Sequence, residues 1–122
     1  DVLGSRGLRD VYKRQILVYD DGEVSGYLWA GPARDDIGIV YEIYALYVKS
    51  DRQRQGIGRA LLTAYQTQIN YAPHYLYMLK GNLPAARFYE SMGGKNFPEQ
   101  NRNKEYAGHD ISEVIYIFAR EL

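Results

Sequence analysis

Cysteine is absent from this 122-residue chain. That excludes disulfides, thiolate metal sites and a cysteinyl nucleophile, and it fits a reducing compartment. Long apolar runs are absent too: no stretch approaches the ~18 residues needed to span a bilayer. The N-terminus carries no signal-peptide core, so the cytoplasm is the default expectation and no membrane partner is expected. Nor is there charge of one sign. Fifteen Lys and Arg balance fifteen Asp and Glu, which argues against nucleic acid as a partner and requires any electrostatic recognition to be local.

What is present fits one soluble domain of ordinary composition, 46% apolar and 25% charged. The first fifteen residues, DVLGSRGLRDVYKRQ, lack an initiating methionine and show neither a two-residue nor a helical period. Residues 1–15 read as a non-native lead segment, with the domain running from 16 to 122.

Within the domain, Asp20-Asp21-Gly22 between apolar runs predicts a hairpin turn. Residues 37–48, rich in tyrosine and β-branched residues, predict a central strand. Its alternation places Glu42, Tyr44, Leu46 and Val48 on one face and Tyr41, Ile43, Ala45 and Tyr47 on the other. Ile57, Ala60, Leu61, Ala64, Tyr65 and Gln68 recur at helical spacing, with Arg59, Thr63, Gln66 and Thr67 opposite, and predict an amphipathic helix ending before Pro73. A strand over 75–79 follows. Asn82 is a suitable N-cap for a second helix with the apolar stripe Ala85, Phe88, Tyr89 and Met92, closed by Gly93-Gly94. Residues 95–105 read as a solvated loop and 113–118 as a last strand. The order β-β-β-α-β-α-(β)-β defines one mixed α/β domain.

The turn between the central strand and first helix carries the chemistry. Gly56 and Gly58 at a helix start expose unpaired N–H groups to an anion. Lys49, Arg52, Arg54 and Arg59 surround them, with only Asp51 opposed nearby in sequence. A P-loop would need Gly-Lys-Ser or Gly-Lys-Thr, which is missing. A dinucleotide fingerprint would need a small residue where Leu61 stands and an acidic residue after the next strand, where Lys80 stands. A tight structural turn is the remaining alternative from spacing alone.

The setting goes further. Gln53-x-x-Gly56-x-Gly58, preceded by Tyr44-Ala45-Leu46-Tyr47-Val48, closely resembles the pyrophosphate-binding motif and central strand of the GNAT superfamily of acyl-CoA-dependent N-acetyltransferases. Asn82-x-x-Ala85-x-x-Phe88-Tyr89-x-x-x-Gly93 resembles that family's later coenzyme A-contacting helix. The resemblance covers residue 16 to the C-terminus and implies a mixed, largely antiparallel sheet with splayed central strands and flanking helices. The family's usual N-terminal strand and two helices have no counterpart in 16–122. With them absent, the acceptor pocket would be incomplete and exposed apolar surface could drive a homodimer.

The resemblance also implies roles. Backbone groups of Gln53, Arg54, Gln55, Gly56, Ile57, Gly58 and Arg59 would hold the pyrophosphate of acetyl-CoA, and those of Leu46, Tyr47 and Val48 the pantetheine arm. Asn82 and Ala85 would contact the cofactor, and the Tyr89 hydroxyl would lie near the thioester sulfur. The acceptor would be a small-molecule or peptide amine, attacking directly without a metal. An ammonium acceptor must first lose a proton, and Glu42, the carboxylate within the central strand, is the candidate base; a strand glutamate paired with an arginine or facing solvent is its alternative. Tyr89 is the candidate acid, with ordinary helix packing as its alternative, and the N–H near Val48 the candidate oxyanion donor. A non-catalytic acyl-CoA-binding or regulatory module would keep the turn and need neither side chain. His74 and His109 read as surface residues, and Trp29 and the thirteen tyrosines as packing more than as pocket.

Overall fold

Asp20 accepts a hydrogen bond from the Gly22 N–H (3.0 Å), and Gly22 takes a left-handed φ of 112° that only glycine adopts without strain. This turn joins β2 (Gln15–Asp20) to β3 (Val24–Pro32), which pair antiparallel. The computed structural model describes residues 2–4 and 13–120. Residues 1 and 5–12 of the lead segment lie outside these; within it, β1 (Val2–Gly4) pairs antiparallel with β2. The strands continue with β4 (Tyr41–Val48), β5 (His74–Leu79), β6 (Lys95–Asn96), β7 (Arg102–Tyr106) and β8 (His109–Phe118). They form one sheet in the order β1-β2-β3-β4-β5-β8-β6, with β7 also on β8. Among the described residues only β4 and β5 run parallel, joined by a crossover through α1 (Ile57–Gln68). A second helix, α2 (Leu83–Ser91), follows β5. This is the mixed, largely antiparallel α/β architecture expected.

The core lies between one sheet face and the helices: Leu17, Leu28, Ala30, Ile43, Leu76 and Phe118 meet Ile57, Leu61, Leu62 and Tyr65. Each leucine so buried contributes about 1.5–3 kcal/mol relative to exposure. α2 adds the partly buried stripe Ala86, Phe88, Tyr89 and Met92, with Ala86 rather than Ala85 against the core.

Several expectations are corrected. The alternation along β4 is interrupted: Trp29 pairs with Ala45 and Ala30 with Ile43, leaving Tyr44 as a β-bulge. Ile43, Leu46 and Val48 therefore all face the core, while Glu42 is on the opposite face from Leu46 and Val48. Residues 95–105 begin as a strand, β6, which is the bracketed β of the expected order, but the rest is not a loop: a 3₁₀ turn leads into β7, which runs to Tyr106 and forms a hairpin with β8. The hairpin turns at Ala107 and Gly108, both left-handed.

His74 is fully buried rather than exposed, and Gln66 is buried with it; His109 is exposed. The His74 ring stacks on Phe118 at 4.9 Å. Its Nδ1 lies 2.7 Å from the Ala72 carbonyl, which can only accept, so Nδ1 carries the proton and Nε2 accepts from the Gln66 amide at 3.2 Å. Burial pushes His74 down from 6.5 to about 4. Above the unfolded value the ring is neutral in both states and its contribution to stability is intact. As pH falls from 6.5 toward 4, only unfolded chains take up the proton, so stability declines by about 3 kcal/mol. Urea unfolding at about pH 7.5 and 4.5 should show this loss in the native chain and much less of it in His74→Phe.

Candidate functional site

After Val48 the chain leaves the sheet through a turn held at both ends. The Lys49 N–H donates to the Ser25 carbonyl at 2.8 Å, and the Gln53 side-chain amide donates back to the Val48 carbonyl at 3.3 Å. Arg54 and Gly56 are left-handed, with φ of 67° and 80°. Gly56 ends the turn as the N-cap of α1. The first helical bond runs from the Ala60 N–H to the Gly56 carbonyl at 3.0 Å, so the N–H groups of Ile57, Gly58 and Arg59 have no backbone acceptor in the helix. These donors at the positive end of the helix dipole form an anion cradle.

The cations around the cradle are fewer than the sequence suggests. The hairpin turn of β2 and β3 brings Asp21 and Glu23 beside it. Arg52 pairs with Asp21 at 2.7 Å and Glu23 at 3.1 Å, and Lys49 pairs with Glu23 at 3.1 Å. Arg54 and Arg59 are exposed and, among the described residues, unpaired with any carboxylate. They supply the local positive field, while Arg52 and Lys49 fasten the turn to the hairpin. A sequence separation of about thirty residues hid this pairing.

Gly26 is where strand, turn and helix meet. It pairs with Val48 across the sheet. A Cβ there would sit 2.7 Å from the Tyr47 carbonyl oxygen, 3.1 Å from Ile57 and 3.3 Å from Leu61. Backbone cannot yield as a flexible side chain does, so Gly26→Val should destabilise the fold by about 1–3 kcal/mol and displace the start of α1. Unfolding midpoints and the acetyl-CoA dissociation constant should both worsen. In Leu61→Ala, a cavity at the same place should cost about 2–5 kcal/mol while largely sparing cofactor affinity.

β4 and β5 pair over only three residues, Tyr41 to Ile43 against His74 to Leu76. Beyond Ile43 they part. Leu46, Tyr47 and Val48 keep β3 on one side, and their other backbone edge opens into the gap. The second motif borders the same region. Phe88 lies 3.4 Å from where a Gly58 Cβ would be, so α2 packs on the first turn of α1. Asn82 caps α2, its side-chain oxygen accepting the Ala85 N–H at 3.3 Å. Tyr89 packs its ring against Phe88, Tyr116 and Phe118. Among the described residues its hydroxyl has no hydrogen-bond partner, and burial pushes it up to about 12, so it is a donor at neutral pH.

Glu42 is fully buried at the last paired stretch of β4 and β5. Arg34 gives it a forked ion pair (Nη2 to Oε2 at 2.8 Å, Nε to Oε1 at 3.3 Å) and its backbone N–H (2.8 Å to Oε1). The Tyr75 hydroxyl adds a bond to Oε1 at 3.0 Å. The arginine pairing weighed as the alternative for this glutamate is therefore present, although neither Arg34 nor Tyr75 was named by sequence reasoning; a cation eight residues before the glutamate is the only signal, and it is weak. The two motif regions are thus brought together, whereas Glu42 and Tyr89 are not in contact: Tyr89 lies on the helix side of the sheet and Glu42 on the other.

A strand pair that splays beside a left-handed glycine turn and helix N-terminus defines the coenzyme A-binding fold of the acetyltransferases. Residues 12–93 match the acetyltransferase (GNAT) domain, and the chain belongs to that family. It is 33% identical over 114 residues to the uncharacterized N-acetyltransferase YuaI of Bacillus subtilis (strain 168), a match over 90% of this chain and 62% of that protein. The chain thus spans less than two thirds of that relative. In fold it is similar to the ribosomal-protein-alanine N-acetyltransferase of Brucella melitensis (TM-score 0.73, 22% identity, covering 88% of this chain and 69% of that one). It is also similar to yncA of Salmonella typhimurium, whose structure contains its cofactor acetyl-CoA (TM-score 0.68, 20% identity, covering 87% and 64%).

Proposed function

We propose that this chain carries the cofactor-binding and catalytic part of an N-acetyltransferase that moves an acetyl group from acetyl-CoA to a small-molecule or peptide amine by direct attack. The observation that supports it most is the gap between β4 and β5 opening beside unpaired N–H groups of the Gly56 turn. In this reading residues 53–59 cradle the pyrophosphate, with Arg54 and Arg59 adding field. The open edge of Leu46, Tyr47 and Val48 pairs with the pantetheine arm, and Asn82 and Ala85 border the cofactor.

A thioester lying in the gap would have Glu42 on one side of the sheet and Tyr89 on the other. The buried carboxylate takes the acceptor's proton through a water, the Val48 N–H stabilises the oxyanion, and the Tyr89 hydroxyl donates to the leaving sulfur. Acetyl-CoA is the co-substrate that supplies the activated acyl group.

Calorimetry with acetyl-CoA, followed by release of free CoA with a panel of primary amines, tests this. Binding with amine-dependent turnover is expected. Binding without turnover by any amine would identify a non-catalytic acyl-CoA module instead, and no binding would remove the coenzyme A reading.

A further inference from the structure

The four hydrogen bonds to Glu42 are divided unevenly. Oε1 accepts three, from the Arg34 backbone N–H, the Arg34 Nε and the Tyr75 hydroxyl, whereas Oε2 accepts one, from Arg34 Nη2. Each carboxylate oxygen offers about two lone-pair positions, so three donors crowd the two of Oε1 while Oε2, with one donor, keeps one open.

Arg34 is itself fixed. Its guanidinium lies 4.2 Å from the Tyr44 ring centroid, and the neighbouring Asp35 is tied down by three groups. The Asp35 N–H donates to the Tyr75 oxygen at 3.3 Å, while its carboxylate accepts from Tyr77 at 2.6 Å and Arg102 at 2.7 Å. The ionisable side chains in hydrogen-bond contact with Glu42 are Arg34 from the β3–β4 loop and Tyr75 from β5. Arg34 is the cation among them.

The geometry points to Arg34 as a positioning residue that holds Glu42 by both oxygens, Oε1 through Nε and the backbone N–H and Oε2 through Nη2, so that the second lone-pair position of Oε2 is the one that receives the acceptor's proton. This rests on the acetyltransferase reading above. The N–H bond of the acceptor ammonium breaks and an O–H bond forms at Oε2 through the intervening water; the neutral amine then forms the C–N bond as the C–S bond breaks, and its second proton leaves with the sulfur as the CoA thiol. Arg34 remains charged throughout and keeps the carboxylate oriented.

The test compares turnover of the full chain, acetyl-CoA with the best amine of the panel, in single and paired variants. Arg34→Gln should lower kcat per folded molecule by about 10-fold or more, with acetyl-CoA affinity changed less than about twofold, and in a Glu42→Gln background it should add almost nothing, because a positioning residue acts only through the group it positions. Arg34→Lys, which keeps the charge but loses the fork, should recover part of kcat and carries the test if Arg34→Gln does not fold. Native kcat in the Arg34 variants, or losses that add fully in the Glu42→Gln background, overturn the positioning role. Native turnover in Glu42→Gln would instead overturn the base assignment itself, and the positioning role with it.

Discussion

Glu42→Gln is expected to lower turnover by about 10²–10⁴-fold, the usual span for losing a general base, with acetyl-CoA affinity nearly unchanged. The substitution keeps the shape of the side chain and removes only its ability to take a proton. The amide also brings a second consequence. Its oxygen can stand where Oε1 now accepts three donors, but its NH₂ then confronts Arg34 Nη2, which is 2.8 Å from Oε2 in the native chain. Donor meets donor, and the guanidinium has to swing away. Its side chain is 48% exposed, so water can take up the released charge and the fold should survive with a modest loss of stability. That loss separates the two roles open to this residue. If Glu42 serves only to anchor Arg34, the melting temperature falls while turnover per folded molecule holds. If it is the base, turnover collapses well beyond anything the small loss of folded protein explains.

Short-range regularities made much of the fold legible. The Asp20-Asp21-Gly22 turn, the Ile57, Leu61 and Tyr65 face of α1 and the Asn82 cap each rest on residues within about one helical turn or one hairpin. The misses all came from tertiary contacts. β7 is polar on both faces because it lies at the sheet margin, and no alternation could reveal it. His74 and Gln66 look like surface residues because polar side chains usually are; inside the core each finds a partner in the other, and His74 a second in the Ala72 carbonyl. The bulge at Tyr44 changed which residues share a face with Glu42, since one extra residue inverts a period-two pattern.

The candidate site divides in the same way. Its anion cradle is a local backbone device and could be read from two glycines. Its charge balance could not, because Asp21 and Glu23 reach Arg52 and Lys49 from another strand pair. The cradle thereby combines a turn clamped by carboxylates with a mouth where Arg54 and Arg59 remain free for phosphate. Clamping restricts the turn before the ligand arrives, which reduces the ordering cost of binding.

Tyr89→Phe should slow turnover by about 10²-fold and leave stability almost untouched. The native hydroxyl titrates at about 12, so it is protonated at any pH the fold experiences. It is too weak an acid to surrender its proton fully to a thiolate, whose conjugate acid lies nearer ~8.5. Its contribution is therefore a hydrogen bond that strengthens as charge builds on sulfur, and a bond to a charged group contributes about 1.5–3 kcal/mol. Phenylalanine keeps the ring against Phe88, Tyr116 and Phe118. It removes a hydroxyl with no partner among the described residues, so a packing role alone would leave both kcat and the melting temperature in place. The pH profile offers an independent check. Because the Tyr89 proton is lost only near 12, its titration should impose no basic limb on kcat up to about pH 10, and the phenylalanine variant should run parallel to the native profile at a lower level. A native profile that falls between about pH 8 and 10, with the fall abolished in Tyr89→Phe, would show instead a hydroxyl that ionises during turnover and would overturn its assignment as a fixed donor.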